Sequence, residues 1–220
     1  MVKPSSQRRR GAVQDLGTEA RILDAAHTVF IRRGTSGARM QEIAKEAGVN
    51  SALLHYYFRS KAKLSEAVFR RAAAELLPAV IAVLVSDREI EDKIEAVIEI
   101  ELTKLLQAPY LPGYILSELA HHPERTRQLV SSATGMIPED VGRRVLGAVR
   151  KQITARVRAG TFHPIEPEQL VINLLSLCIF PFAARPMVSL LLGLDDGEFE
   201  RFIVRRRRQL PAFFLRALRP

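Results

Sequence analysis

Residues 39–69 read RMQEIAKEAGVNSALLHYYFRSKAKLSEAVF, and this stretch predicts two short helices joined by a tight turn, with a further helix after them. Apolar residues recur at helical spacing up to Gly48, a residue type that turns the chain through a left-handed conformation without a Cβ clash. Asn50 can then cap the second helix with its side-chain oxygen. Ala44 and Gly48 are four residues apart, which lets two helices cross closely, and Leu54 falls where the second helix must bury a residue. The stretch therefore predicts a helix-turn-helix.

The next residues, HYYFRSKAKL at positions 55–64, lead into an apolar helix that opens at Ser60. With the preceding stretch they resemble the TetR family of transcriptional regulators, whose pattern has Ile-Ala, Ala-Gly-Val, an aromatic pair before Phe, then Ser-Lys and Leu. The resemblance is dense over residues 18–69, and beyond them it is architectural only. The matching residues are Ile43, Ala44, Ala47, Gly48, Val49, His55, Tyr56, Tyr57, Phe58, Ser60, Lys61 and Leu64.

The resemblance implies an all-α fold, with a DNA-binding head followed by a helical domain that binds an effector and dimerises. Residues 18–64 would form the three-helix head, and residues 65–220 the second domain. Residues 1–17 are expected to be a flexible basic arm that lies along phosphates or enters a minor groove, or else a solvated tail. No stretch alternates like a strand, so about nine helices and no sheet are predicted.

The positive charge is concentrated in the first third of the chain. Of the net charge of +9, residues 1–76 hold 14 Lys and Arg against 7 Asp and Glu, whereas residues 77–220 hold 19 against 17. This asymmetry indicates a polyanionic partner for the N-terminal part, either nucleic acid or an acidic membrane surface.

The single cysteine, Cys178, excludes an intrachain disulfide framework and a cysteine-rich zinc site. A lone cysteine suits a reducing cytoplasm, and the basic run at residues 8–10 lacks the hydrophobic segment that an export signal requires. A cytoplasmic protein is therefore expected.

The second helix of the motif should place Leu54 and Phe58 on its buried side. The opposite side would face DNA, and by resemblance its first residues would meet base edges. Tyr56 and Lys61 suit phosphate oxygens, while Tyr57 suits either phosphate contact or packing inside the head. The predicted DNA-binding residues are Arg39, Asn50, Ser51, Ala52, Leu53, His55, Tyr56, Tyr57 and Lys61.

Prolines and glycines divide the second domain into helices. Pro78 should end or kink the helix that opens at Ser60, and a long helix is expected over Asp87–Gln107. Two shorter helices flank Pro123. Further helices should run from Pro138 to Gly160 and from Pro167 onward.

Residues 170–194 are the most apolar part of the chain and predict a buried helix, with a membrane span as the alternative. The resemblance implies that the last two helices, about 167–182 and 197–219, form a four-helix homodimer interface. The arginines at 205–208 would be the solvated face of the last helix or partners for acids across the dimer, with a second nucleic-acid patch as a minor alternative. The predicted interface residues are Leu175, Cys178, Phe182, Phe202 and Phe214.

Glu101 falls inside the apolar stripe of the long helix, and a buried carboxylate needs a partner. One interpretation is a salt bridge to an arginine of the 139–158 helix, or a side chain that reaches solvent at the edge of the stripe. The other is an effector pocket in which Glu101 meets a cationic or hydrogen-bond-donating group, with Tyr110, Tyr114 and Phe162 as aromatic walls.

Enzyme motifs are missing from the sequence, which has no phosphate-binding glycine loop, nucleophile elbow or His-Glu-x-x-His pair. No cofactor is expected. Glu118 and His122 are one helical turn apart and, with His121, could seed a metal site, but a solvated helix end is the better interpretation and no metal is predicted.

These features predict a one-component transcriptional repressor, a homodimer that binds a palindromic double-stranded DNA operator and is released by an unknown small-molecule effector. The alternatives are a DNA-binding activator or architectural protein without a ligand, and a membrane-associated helical protein.

Overall fold

The computed structural model describes the backbone of residues 6–121 and 123–220, and the side chains of residues 17–116, 124 and 127–220. The described residues form helices and no strand, which confirms the predicted all-α fold. Eleven helices are present in this part of the chain: α1 (Ser6–Gly37), α2 (Met40–Glu46), α3 (Ser51–Tyr57), α4 (Lys61–Val85), α5 (Ile90–Gln107), α6 (Leu111–His121), α7 (Pro123–Thr134), α8 (Pro138–Arg158), α9 (Pro167–Ala183), α10 (Arg185–Leu192) and α11 (Asp196–Leu218).

The chain divides into two compact units, one that ends at Arg71 and one that runs from Ala72 to Pro220. The division falls inside α4, whereas the sequence placed the end of the head at residue 64.

The first helix is longer than predicted. It begins at Ser6, so residues 6–17, which were expected to be a flexible arm, are helical, and residues 1–5 of that arm lie outside the described residues. Gly34 interrupts the helix, because its φ of 66° is left-handed and suits a residue without a Cβ.

The core of the first unit is the apolar face of α1 packed on the helices of the motif. Phe30 of α1 stacks on Phe69 of α4 with ring centroids 6.1 Å apart. Arg32 of α1 pairs with Glu46 of α2 at 2.5 Å, so an ion pair also joins these helices at the surface. The buried residues of this core are Ile22, Ala26, Val29, Phe30, Ile43, Ala44, Leu54, Phe58, Leu64, Val68 and Phe69.

Pro78 does not end α4, which continues to Val85, so that part of the prediction was wrong. Proline removes one helical hydrogen bond, but apolar residues on both sides of it, Leu76 and Val80, are buried. Their burial offsets the lost bond.

The second unit is built around α5, which packs against α11, α9 and α8. The predicted stripe of α5 is buried almost completely, including Ile94, Ile98 and Leu102. Arg156 of α8 donates to Glu91 at 2.9 Å and to Glu89 at 2.6 Å, which fixes α8 against the start of α5. The hydrogen bond from Arg156 holds the pKa of the Glu91 carboxyl below its usual range.

The apolar segment 170–194 spans α9, which matches the helix expected at about 167–182, and α10, and the chain bends by 74° between them. The predicted burial was wrong for α10, which has no buried residue. No single helix in the described residues has the length and apolar character to cross a membrane, although α9 and α10 taken together meet those two criteria. The split accounts for part of the difference from the nine helices predicted.

Candidate nucleic-acid interface and effector residues

The turn of the motif has the hydrogen bonds that its sequence predicts. Gly48 has a φ of 64°, its N–H donates to the Lys45 carbonyl, and the Val49 N–H donates to the Ala44 carbonyl. These two bonds satisfy carbonyls at the end of α2 that would otherwise have no partner. The direction of α3 relative to α2 therefore depends on the glycine.

Asn50 caps α3, as predicted, since its side-chain oxygen accepts a 2.7 Å hydrogen bond from the Leu53 N–H. Leu54 and Phe58 are buried on one side of α3. The other side is open to solvent and consists of Ser51, Ala52, Leu53, His55 and Tyr56. One face of α3 is thus anchored and the other is free to meet a partner.

The two tyrosines of α3 have different environments. Tyr56 is 74% exposed, and Tyr57, which is half-buried, meets its ring edge-to-face at 5.4 Å. Tyr56 therefore presents its hydroxyl to solvent, whereas part of Tyr57 packs inside the head.

Lys61 contacts the protein itself rather than projecting freely. Its Nζ donates to the carbonyls of Ser36 at 2.8 Å and Ala38 at 2.9 Å, in the connection between α1 and α2. An ammonium has three donors, so one is left for a phosphate. The prediction of Lys61 as a simple phosphate contact overlooked this structural role, which depends on a neighbour 23 residues earlier in the chain.

Arg39 is exposed at the N-terminus of α2 and makes no side-chain cap bond. Arg59, just before α4, is also exposed and was not singled out from the sequence. Neither guanidinium has an ion-pair partner in the described part of the chain, so both are available to an anion.

Glu101 lies in the core of the second unit with only 4% of its surface exposed. The thiol of Cys178 on α9 is its hydrogen-bond partner, and its Oε2 has no partner among the described residues. Burial raises the pKa of Glu101 to about 8, and the thiol hydrogen bond opposes that shift. Burial also raises the pKa of the Cys178 thiol, which is therefore not a reactive thiolate.

Within the described residues, Glu101 forms no salt bridge, and its side chain does not reach solvent. Both of those predictions were therefore wrong. Phe162 lines a cavity of about 560 Å³ with Glu91 and Arg156. Glu91 precedes Glu101 by ten residues on α5, which corresponds to roughly 15 Å along the helix. Tyr110, just before α6, and Tyr114, in its first turn, are both half-buried.

Three of the predicted interface residues, Cys178, Phe182 and Phe214, are buried within a single chain, so assigning them to a dimer surface was wrong. Leu175 and Phe202 are half-buried. The apolar residues that α9 and α11 expose are Ile172, Phe180 and Phe213, at 59%, 54% and 57%.

The histidines considered as metal ligands cannot be placed. The side chains of Glu118, His121 and His122 lie outside the described residues. Among the side chains that are described, no group of three or more potential metal ligands occurs.

Residues 22–68 match the family model described as "Bacterial regulatory proteins, tetR family". This part of the chain is therefore similar to the N-terminal domain of TetR-family transcriptional regulators.

Its curated relatives are regulators. The HTH-type transcriptional repressor SCO4008 of Streptomyces coelicolor is 34% identical over 112 residues, which cover 49% of this chain and 57% of the relative. The regulator BetI of Agrobacterium fabrum is 30% identical over 114 residues, covering 50% and 54%. The chain thus spans about half the length of these relatives.

The fold is also found in solved structures. The ketosteroid transcriptional regulator KstR2 of Mycobacterium tuberculosis superposes with a TM-score of 0.63 at 14% identity, covering 92% of this chain and 95% of that one. At this identity the likeness extends to the fold alone.

Proposed function

We propose that this protein is a cytoplasmic transcriptional repressor that binds a palindromic double-stranded DNA operator as a homodimer and is released by a small-molecule effector. The observation that carries the DNA-binding part is the solvent-exposed face of α3. Leu54 and Phe58 anchor the helix in the core, and the Asn50 cap fixes its first turn. Its free face matches what a recognition helix needs in a major groove.

The residues around α3 carry side chains that can bind the phosphate groups of DNA. Arg39 and Arg59 carry exposed guanidiniums, Tyr56 presents a hydroxyl, and Lys61 keeps one free donor. Contacts of this kind fix the register of a protein on DNA, while the side chains of Ser51, Ala52 and Leu53 would discriminate between bases. The side chains of Ala52 and Leu53 offer only apolar contact, which favours a thymine methyl group at the operator positions that they meet.

The test is selection of genomic fragments by the full-length protein, followed by binding measurements on the enriched site. Ala52→Asp should abolish binding, because it brings a carboxylate to the DNA-facing side. Ala74→Asp adds the same charge at an exposed position of α4 in the second unit and should bind normally. Failure to enrich any sequence, or equal binding by the two variants, would contradict the proposal.

Dimerisation is proposed through the exposed face of α9 and α11. Single exposed apolar residues are common, but Ile172 and Phe180 lie on one face of α9, and Phe213 adds to them from α11. A two-fold dimer would let two heads read two half-sites.

Effector binding is proposed at Glu101. A carboxyl oxygen buried without a hydrogen bond is costly, and a ligand that donates to Oε2 would remove that cost. Because α4 carries residues of both units, it is the covalent connection through which binding would change DNA affinity. If no small molecule stabilises the protein in a thermal-shift screen, the ligand-independent alternative is favoured.

A further inference from the structure

The exposed face of α3 lacks the side chains that proteins most often use to read bases. Paired hydrogen bonds to base edges come from arginine or lysine on guanine and from asparagine or glutamine on adenine. Every residue of α3 is described, and none of its seven residues is of these four types. The helix that would lie in the major groove therefore has to recognise bases in another way.

Asn50 directly precedes α3 and carries the amide closest to it in sequence, but the structure gives this amide a different role. Its side-chain oxygen accepts a hydrogen bond from the Leu53 N–H at 2.7 Å. Recognition of adenine by an amide uses the oxygen and the nitrogen together. Because its oxygen is turned toward the backbone of α3, Asn50 does not present that pair to a base.

Two apolar side chains lie instead in the first turn of the exposed face. Ala52 is exposed, and Leu53 is 36% exposed although Leu54 beside it is fully buried. The cap bond fixes the backbone of Leu53, so its side chain leaves the head in a defined direction. Apolar side chains in the major groove contact the C5-methyl group of thymine, which projects into that groove. These residues are therefore suited to detect the methyl group rather than the hydrogen-bonding edge of the base.

We propose that Ala52 and Leu53 recognise the C5-methyl group of a pyrimidine, so that 5-methylcytosine can replace thymine in the operator and methylation of cytosine strengthens binding. This inference rests on the proposed function, because it requires α3 to lie in a major groove. Thymine and 5-methylcytosine carry the methyl group at the same ring position and differ in their hydrogen-bonding edges. The seven residues of α3 include no side chain of the types that distinguish those edges by paired hydrogen bonds.

Operators with a single modified base test the methyl contact in the full-length protein. Each thymine of the enriched half-site is replaced in turn by deoxyuridine, which removes only the methyl group. At the positions that Ala52 and Leu53 meet, deoxyuridine should weaken binding roughly fourfold, the usual effect of leaving one apolar carbon in water. At the same positions cytosine should bind weakly, and 5-methylcytosine should restore most of the affinity.

Protein variants assign the effect to individual side chains. Leu53→Ala should lose the difference between thymine and deoxyuridine at one position and keep it at the other, because it removes only its own apolar contact. Ala52→Ser places a hydroxyl group against the methyl group and should reduce the difference at the other position. Tyr56→Phe is the matched control, since a phosphate contact carries no information about the base, and it should weaken thymine and deoxyuridine operators by the same factor. Circular dichroism verifies folding.

Three results would overturn the inference. One is equal binding of thymine and deoxyuridine at every position, and another is a deoxyuridine-sensitive position at which 5-methylcytosine binds no better than cytosine. The third is a thymine preference that survives in both the Leu53 and the Ala52 variant, since the methyl group would then act through the shape of the DNA. All three require an enriched operator, so they are distinct from failure of the proposed function, in which no sequence is enriched.

Discussion

A glutamate that keeps its proton inside the core makes the stability of this protein depend on pH. The pKa of Glu101 is about 8 in the folded chain against an ordinary value of 4.5. Between these values the unfolded chain has lost the proton and the folded chain retains it, so the free energy of unfolding falls as pH rises from about 4.5 to 8. Below that window both states are protonated, and the stabilising contribution of the neutral acid is fully present.

Glu101→Gln should remove this pH dependence, because the amide has a similar shape and does not ionise. We expect the variant to be more stable than the wild type at pH 9 and to differ much less at pH 5, by urea unfolding at each pH. Glu99→Gln, on the solvent side of the same helix, is the control and should retain the wild-type slope. If release of the protein from the operator by an effector is measured as well, a Glu101→Gln variant that binds the operator but is not released supports the proposed ligand contact. Parallel stability curves for Glu101→Gln and wild type would contradict the pKa argument.

Lys61→Ala distinguishes a structural role from a DNA contact. Losing its two bonds to the carbonyls of Ser36 and Ala38 should lower the free energy of unfolding by about 1–3 kcal/mol. If the third donor also neutralises a phosphate, the log–log salt dependence of DNA binding should fall by about one unit per head.

The control for Lys61 is Lys63→Ala, because Lys63 is an exposed lysine of α4 that pairs with Glu66 on the surface. It should change stability little. Unchanged stability and an unchanged salt slope in Lys61→Ala would mean that neither role is correct.

At the scale of the element, α3 should carry sequence preference as well as affinity. Leu53 is 36% exposed on the free side of the helix, whereas Leu54 beside it is buried. Leu53→Ala should therefore change which base is preferred at one operator position while the head stays folded. Leu54→Ala should instead destabilise the head by about 2–5 kcal/mol, as expected for a core leucine. Sequencing of selected DNA sites measures the change in base preference of Leu53→Ala, and thermal unfolding measures the destabilisation by Leu54→Ala. If Leu53→Ala weakens binding to all sites equally, Leu53 does not recognise a base.

The helices were predictable where local chemistry decides them. Gly48, Asn50, Pro138 and Pro167 mark helix ends in the structure as they do in the sequence, because turns, caps and first-turn prolines depend on nearby backbone groups. The α4 helix was misjudged at Pro78, since burial on both sides of that proline is a tertiary effect.

The candidate sites were less predictable than the helices. The periodicity of α5 predicted that Glu101 is buried, but its partner, Cys178, lies on another helix 77 positions later in the numbering. In α9, which is apolar around most of its surface, composition does not say which side meets the rest of its own chain. Cys178 and Phe182 were assigned to the dimer for that reason, whereas the exposed positions are Ile172 and Phe180.

For the whole molecule, assembly should depend on those exposed positions. Ile172→Glu combined with Phe180→Glu should give monomers in sedimentation velocity and lose operator affinity, because a single head makes too few contacts for specific binding. Ile137→Glu changes an apolar residue that is 52% exposed elsewhere in the second unit and should leave the mass unchanged. If the double variant sediments like the wild type, the interface lies on another surface.

The leucines of α10 have a consequence for handling the protein. Leu190, Leu191 and Leu192 are 81%, 73% and 55% exposed on a helix of eight residues, beside a half-exposed Met187. Apolar attraction weakens on cooling and strengthens in sulfate, so concentrated preparations should remain clear in the cold and turn turbid on warming or during ammonium sulfate fractionation. A mild non-ionic detergent should reverse the turbidity, and replacing Leu190 and Leu191 with serine should make an easier sample to crystallise.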